Sequence, residues 1–280
     1  MSRRVDGAEP PAGDGPFLVA ASLSGVADAE WARRAADHVD VALLGGVALD
    51  PASRAAARDL VARGREEFLP TDPLAFVADQ LDAVADADAP ARPGINVRSA
   101  TLEPVRETAE ICADRDAVCE INAHCRQPEL RAVGCGESLL RDPDRLERYV
   151  AAAAEAGATT SVKVRAAVPG VDLVAAAETA AEAGADWVHV DAMDSEPAVG
   201  EVASALDDGP PDATLVANNG VRGRETVAEY AAYGADGVSV GRPTEEPPVL
   251  ARVADAVADW RAGALRDRGG DAELEPEARP

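Results

Sequence analysis

The sequence predicts an α/β protein built as a closed (β/α)8 barrel. Three observations carry this. Eight short apolar runs alternate with segments of helical periodicity along the 280 residues, and a strand–helix–strand order of that kind implies parallel pairing with right-handed crossovers. Eight such units in about 250 residues is the size of a closed barrel. An open doubly wound sheet would show a Gly-x-Gly-x-x-Gly turn after an early strand, and none is present.

Residues 1–16 are rich in Gly, Pro and Asp and have no apolar h-region, so they read as a disordered arm and not as a signal peptide. Phe17 to Ser22 is the first apolar run, a strand that passes into a Leu-Ser-Gly loop. Asp28 can cap a helix to about Asp37. Val39 to Gly46 is the second strand, closed by Gly45-Gly46. Asp50-Pro51 opens a helix with proline in its first turn, expected to reach about Phe68, and Asp72-Pro73 opens another to about Val84. Pro93 to Val97 is the third strand, Glu103 to Ala113 a helix and Ala117 to Ala123 the fourth strand.

A long loop is expected from Cys125 to Ser138 before Asp142-Pro143 opens a helix that ends at Gly157. Thr160 to Arg165 is the fifth strand, followed by a helix from Val171 to Ala183 that stops at Gly184. Asp186 to Asp191 is the sixth strand, with a short helix near Ala198 to Leu206. Ala213 to Asn218 is the seventh, ended by Asn219-Gly220, and Glu225 to Tyr233 is a helix closed by Gly234. Asp236 to Gly241 is the eighth strand and about Pro247 to Ala262 the last helix. No long linker interrupts the pattern, so residues 17–264 read as a single barrel domain and residues 265–280 as an acidic disordered tail.

The formal charge is −24, and Lys163 is the only lysine in the chain. Arginine in place of lysine beneath an excess of carboxylates reads as adaptation to high salt, where the Debye length falls to about 3 Å at 1 M and self-repulsion is screened. The acidity disfavours simple electrostatic binding of nucleic acid. Cys112, Cys119, Cys125 and Cys135 are too few for a disulfide framework in a chain of this length, which points to reduced thiols and a cytoplasmic location. No run of about 18 apolar residues suggests a membrane span. Cys119, Cys125 and Cys135 with His124 do not have a zinc-site spacing, so no metal is expected.

In a (β/α)8, or TIM, barrel the site lies at the C-terminal ends of the strands. Ser22, Asn96, Glu120, Asn122, His124, Cys125, Lys163, Arg165, His189 and Asp191 fall there. Period-two alternation puts Glu120 and Asn122 on one face of their strand, and likewise Lys163 with Arg165 and His189 with Asp191. Cys119 should face the opposite way, into the helix layer. A charge in mid-strand is costly to bury, so a lone lysine there points to a site needing a compact ammonium. The last two strands end in Asn219-Gly220 and Gly241-Arg242, which would let backbone N–H groups approach a phosphate. A lysine aimed at a phosphate-anchored cofactor fits a flavin, while a Schiff base is the other use of a buried lysine.

These motifs together resemble the tRNA-dihydrouridine synthases, an FMN-dependent family. Asn122-Ala-His-Cys125 followed by Gly136-Glu-Ser-Leu-Leu140, Val162-Lys163-Val-Arg165, His189, Asn219-Gly220 and Asp236-Gly-Val-Ser-Val-Gly241-Arg242 occur in the family's order. The resemblance implies FMN at the barrel mouth, with Ser22, Asn96, Asn122, Lys163 and His189 near the flavin and Asn219, Gly220, Gly241 and Arg242 at its phosphate. It further implies NADPH or NADH as electron donor, with Cys125, Lys163 and His189 as the catalytic group. Cys125 would protonate C5 of a uracil ring whose C6 receives hydride, with Cys135 as the alternative acid.

The family's Gly-Cys-Pro is His124-Cys125-Arg126 here, and its strand-three glutamine is Asn96. The segment after Arg242 is too short for the family's helical RNA-binding domain. The expected partner is therefore tRNA or, failing that, a small molecule. A dihydroorotate-dehydrogenase-like enzyme of a small pyrimidine or other activated alkene is one alternative, and a non-catalytic flavin- or nucleotide-binding barrel is another.

Overall fold

A computed structural model describes residues 15–85, 91–209 and 213–265. Most of the expected N-terminal arm and C-terminal tail lies outside the described residues. Strands β1 (Phe17–Ala20), β2 (Val41–Ala48), β3 (Arg92–Arg98), β4 (Val118–Asn122), β5 (Thr159–Arg165), β6 (Trp187–Asp191), β7 (Thr214–Asn218) and β8 (Gly237–Val240) pair in chain order. Each pairing is parallel, and β8 closes on β1. The expected (β/α)8 barrel is the observed fold.

Helices α1 (Ala29–Ala35), α2 (Pro51–Ala62), α3 (Pro73–Ala85), α4 (Glu103–Ala113) and α5 (Pro128–Ala132) follow the first four strands. Helices α6 (Pro143–Glu155), α7 (Leu173–Glu182), α8 (Pro197–Asp208), α9 (Arg224–Ala232) and α10 (Pro247–Arg261) follow in the second half. Aspartates start several of them. The side chains of Asp28, Asp50, Asp142 and Asp172 each accept a first-turn N–H, at about 1 kcal/mol per cap.

The strand alternation sorts side chains into two layers. Leu18, Leu44, Ile95, Cys119, Val162 and Val188 point outward and pack under the helices. Phe17, Val19, Val41, Leu43, Val118, Trp187 and Val216 point inward and plug the lower lumen. Within the plug the Phe17 and Trp187 rings lie with centroids 5.3 Å apart, a tilted contact that adds roughly 1 kcal/mol beyond burial.

Three expectations need correction. The second strand does not stop at Gly45-Gly46: β2 continues to Ala48 with a register shift between Gly45 and Val47. Those glycines instead permit close approach to β3, since a Cβ on Gly46 would sit 2.6 Å from Asn96 Oδ1. Helix α2 ends at Ala62, short of Phe68, because Gly64 takes a φ of +84° and the N–H groups of Arg63 and Arg65 turn back onto Leu60 O. The segment between Cys125 and Ser138 is not an open loop. Gln127-Pro128 starts the short helix α5, and a 3-10 turn spans Gly136–Arg141.

Candidate active site

Above the apolar plug the inward positions turn polar. Asn96, Glu120, Ser161, His189 and Ser239 are all buried there. Strand register sets Asn96 beside Glu120 and Glu120 beside Ser161. Glu120 is the common acceptor. Its Oε1 receives Asn96 Nδ2 at 2.7 Å, and its Oε2 receives Ser161 Oγ at 3.1 Å and lies 2.6 Å from His189 Nδ1. Burial alone would push the Glu120 carboxyl up. Contact with His189, the charge of Lys163 and the Asn96 amide outweigh burial and hold it at about 2.

His189 Nε2 lies 2.7 Å from Ser239 Oγ, which itself receives Asn218 Nδ2 at 2.7 Å. Burial first, and then the nearby Lys163 ammonium, push the imidazole below its ordinary value, against the pull of Glu120. An ionised carboxylate can only accept, so Nδ1 donates to Glu120, and Nε2 meets the Ser239 hydroxyl. Both ring nitrogens are occupied.

Lys163 stands in register between Asn122 of β4 and His189 of β6. It is 3% exposed yet lines the open cavity above the network, so its ammonium faces the space a ligand would fill. No carboxylate among the described residues lies within ion-pair distance of it. Beside it, His124 Nδ1 lies 3.6 Å from Asp191 Oδ2, and Asp191 Oδ1 accepts from Asn219 Nδ2 at 3.2 Å. Burial and Lys163 push the His124 imidazole down.

Cys125 is held by its backbone on both sides. Its N–H donates to Asn122 Oδ1 at 3.0 Å, and its carbonyl accepts from Glu137 N–H at 2.9 Å. Asn122 Nδ2 in turn donates to Asn96 Oδ1 at 2.8 Å, which ties this clamp to the buried network. Gly136 crosses so near that a Cβ there would lie 2.1 Å from Cys125 O, at a φ of +63°. The adjoining Leu139 and Leu140 are buried in the core and anchor the turn. Arg165 Nη1 donates to Glu137 Oε2 at 2.9 Å, so the end of β5 grips the same turn.

After β7, Asn219 and Gly220 adopt left-handed backbone, with φ of 89° and 69°, and Tyr230 Oη donates to Asn219 O at 2.8 Å. After β8, Gly241 leads into a 3-10 turn over Arg242–Glu245. The two turns and Cys125 face one cavity of about 510 Å³, a usual size for a ligand pocket. Arg65, Arg126, Lys163, Arg165, Arg222 and Arg242 line it, against Asp191 and Glu245 as its only acids among the described residues. In a chain of charge −24 this local excess of cations makes the cavity's charge suited to an anion.

Of the residues expected at the site, Ser22, Asn122, Cys125, Lys163, Asn219, Gly220, Gly241 and Arg242 line the cavity. Asn96 and His189 lie in the buried floor beneath it. Cys135 is buried against Ala56, Leu60 and Leu130 and does not line the cavity. Burial and nearby Asp50 push its thiol up to about 12. Cys119 faces the helix layer, and Cys112 is buried there with it. Sequence reasoning missed Ser161 and Ser239, although each shares the parity of a recognised inward residue. It also missed Arg65, which carries no periodic signal, and left Arg126 and Arg222 out of the site. Among the described residues no group of three or more His, Cys, Asp or Glu could hold a metal ion, and no helix is long and apolar enough to cross a membrane.

Solved structures share the barrel. A DHODH from Eimeria tenella, in complex with ferulenol, has a TM-score of 0.62 at 14% identity, covering 89% of this chain and 85% of that one. A 3-hexulose-6-phosphate synthase from Salmonella typhimurium has a TM-score of 0.53 at 16% identity, covering 89% and 99%. FabK from Thermotoga maritima has a TM-score of 0.53 at 11% identity, covering 82% and 59%. At such identities the likeness is one of fold. Uncharacterized protein MJ0144 of Methanocaldococcus jannaschii is 27% identical over 150 residues, which are 53% of this chain and 57% of that protein. The chain thus spans little more than half the length of this curated relative. The family model described as dihydrouridine synthase (Dus) matches residues 95–264, from β3 and the Cys125 clamp through both glycine turns, and the chain belongs to that family.

Proposed function

We propose that the protein is an FMN-dependent oxidoreductase that reduces the C5=C6 bond of a uracil ring, with a reduced nicotinamide as electron donor. The observation that carries this is the meeting of the chain's only lysine, Cys125 and two glycine turns on one cavity. The donor set suits FMN: Gly220, Gly241 and Arg242 would hold its phosphate, and Asn122 and Lys163 would meet its ring. When bound, the flavin would carry hydride from the nicotinamide to C6 of the substrate.

The chain's own residues supply the rest. Lys163 presents a fixed positive charge that needs no reorganisation when negative charge develops beside it. Glu120 and His189 act through the floor, fixing the strands on either side of Lys163. Cys125 holds a proton on a thiol inside the cavity and gives it to C5 as general acid. Its clamped backbone keeps that thiol in one place. The substrate is tRNA on the family reading. A small pyrimidine is the second reading, favoured because the basic groups are gathered inside the cavity of an otherwise acidic chain.

Protein purified in molar KCl should be yellow and release FMN on denaturation. A colourless protein that takes up no FMN would overturn the proposal. Dihydrouridine in tRNA from a strain lacking the protein then separates the two substrates: its loss at any position supports tRNA, and an unchanged level supports the small pyrimidine.

A further inference from the structure

We propose that His124, set against Asp191, is the proton carrier of the cavity: it returns to Cys125 the proton that this thiol donates. This rests on the reading of Cys125 as the acid.

Each turnover breaks the Cys125 S–H bond, forms a C–H bond at C5 and leaves a thiolate. The next turnover needs that thiolate protonated again. Histidine is the side chain whose ordinary range lets it gain and lose a proton near neutral pH. His124 is the only histidine among the described residues that line the cavity.

Its placement suits the task. His124 directly precedes Cys125, so their Cα atoms are about 3.8 Å apart, and both side chains line the same cavity. The backbone is fixed on either side of it. Ala123 N–H donates to Lys163 O at 2.8 Å, and Cys125 N–H donates to Asn122 Oδ1 at 3.0 Å. Nδ1 faces Asp191 Oδ2 at 3.6 Å, and Asn219 steadies that carboxylate through its other oxygen at 3.2 Å. This leaves Nε2 for the cavity, with no hydrogen-bond partner among the described residues. The His124 side chain is 25% exposed and can exchange protons with solvent. His189 differs: it is buried, and it meets the cavity across Ser239.

The surrounding charges set the cycle. Facing the ring are Asp191 and His189 on β6, Lys163 on β5 and Glu120 on β4, with Cys125 next in the chain. Burial first, and then Lys163, outweigh the two carboxylates, so the resting ring is neutral at neutral pH. A thiolate formed beside it adds negative charge, which favours the imidazolium. The ring then takes a proton from solvent and gives one to Sγ. One N–H bond breaks, one S–H bond forms, and the neutral ring is restored.

The first test needs neither flavin nor substrate. Iodoacetamide alkylation of Cys125 is read by mass spectrometry from pH 5 to pH 10 in molar KCl. A ring that gives the thiol its proton can also take it, so His124→Gln should slow alkylation at least about threefold at pH 7. Parent and variant should react alike at pH 10. Asp191→Asn should fall between them, and it carries the test if His124→Gln does not fold. The second test uses enzyme with reduced FMN and either tRNA lacking dihydrouridine or UMP, whichever is turned over. His124→Gln should keep the rate of the first turnover and lose about 100-fold in the steady state, with added imidazole restoring part of the loss. Alkylation unchanged in both variants would overturn the proposal. So would equal losses in both kinetic phases without rescue, or an alkylation profile that answers to Ser239→Ala in place of His124→Gln. His124-dependent alkylation in protein that holds no FMN would sustain the pair and count against the flavin reading alone.

Discussion

His189 Nδ1 lies 2.6 Å from Glu120 Oε2, with both side chains at most 1% exposed. This pair joins β4 to β6 beneath the strand that carries Lys163. The carboxyl is held at about 2, below its unfolded value near 4.3. A depressed carboxyl gives stability that is complete above the unfolded value and is lost as pH falls toward the folded one. The depressed His189 imidazole works in the same direction, its share declining below about pH 6.5. Urea midpoints should therefore fall steadily from pH 7 to pH 3. Glu120→Gln should cost roughly 2–4 kcal/mol at pH 7 and flatten the curve below pH 4.5. A parent-like acid limb in that variant would show that Glu120 does not set it.

Lys163→Arg keeps the charge but replaces a compact ammonium with a planar fork at a nearly closed position. We expect flavin reduction by nicotinamide, followed in stopped flow, to slow by about 10–100-fold, or FMN to be lost. Parent-like rates with full flavin content would remove Lys163 from the mechanism.

The two loop cysteines should separate cleanly. Cys125→Ala should keep FMN and lose about 10²–10⁴-fold in turnover, the range for a missing general acid. Cys135→Ala should keep turnover and lose about 1–2 kcal/mol of stability, since it empties volume in a packed apolar cluster. The reverse pattern would move the proton to Cys135.

Gly136→Ala tests the clamp. An added methyl cannot share space with Cys125 O 2.1 Å away, and a left-handed φ is itself unfavourable for alanine. We expect a loss of about 2 kcal/mol or more in unfolding free energy, and a fall in turnover larger than any fall in FMN affinity. A variant as active as the parent would show that the turn does not position Cys125.

The barrel was legible because apolar runs, proline-started helices and glycine stops repeat eight times, and closure follows from number and alternation. The mouth was legible in part for the same reason: Lys163, Asn122 and the glycine turns sit at strand ends, where position alone predicts them. Ser161 and Ser239 were not read as site residues because a hydroxyl inside a strand looks like filling until its neighbour across the ladder is known. Arg65 lies after a helix, brought to the mouth by a pairing between Arg63 and Glu129 that no local pattern encodes. Gly136 stood in the sequence only as the start of the Gly136-Glu-Ser-Leu-Leu140 segment, and its contact with Cys125 O emerges only when both ends of the segment are folded.

The buried network has one further consequence. Its outer ends are amides: Asn218 on the Ser239 side, and Asn96 followed by Asn122 on the cysteine side. Amides donate hydrogen bonds but do not release protons near neutral pH. Glu120 and His189 are thus wired to each other and meet the cavity across the Ser239 hydroxyl, which contacts His189 Nε2 and lines the cavity. Among the described residues that hydroxyl is the link through which the buried pair could exchange a proton with the cavity.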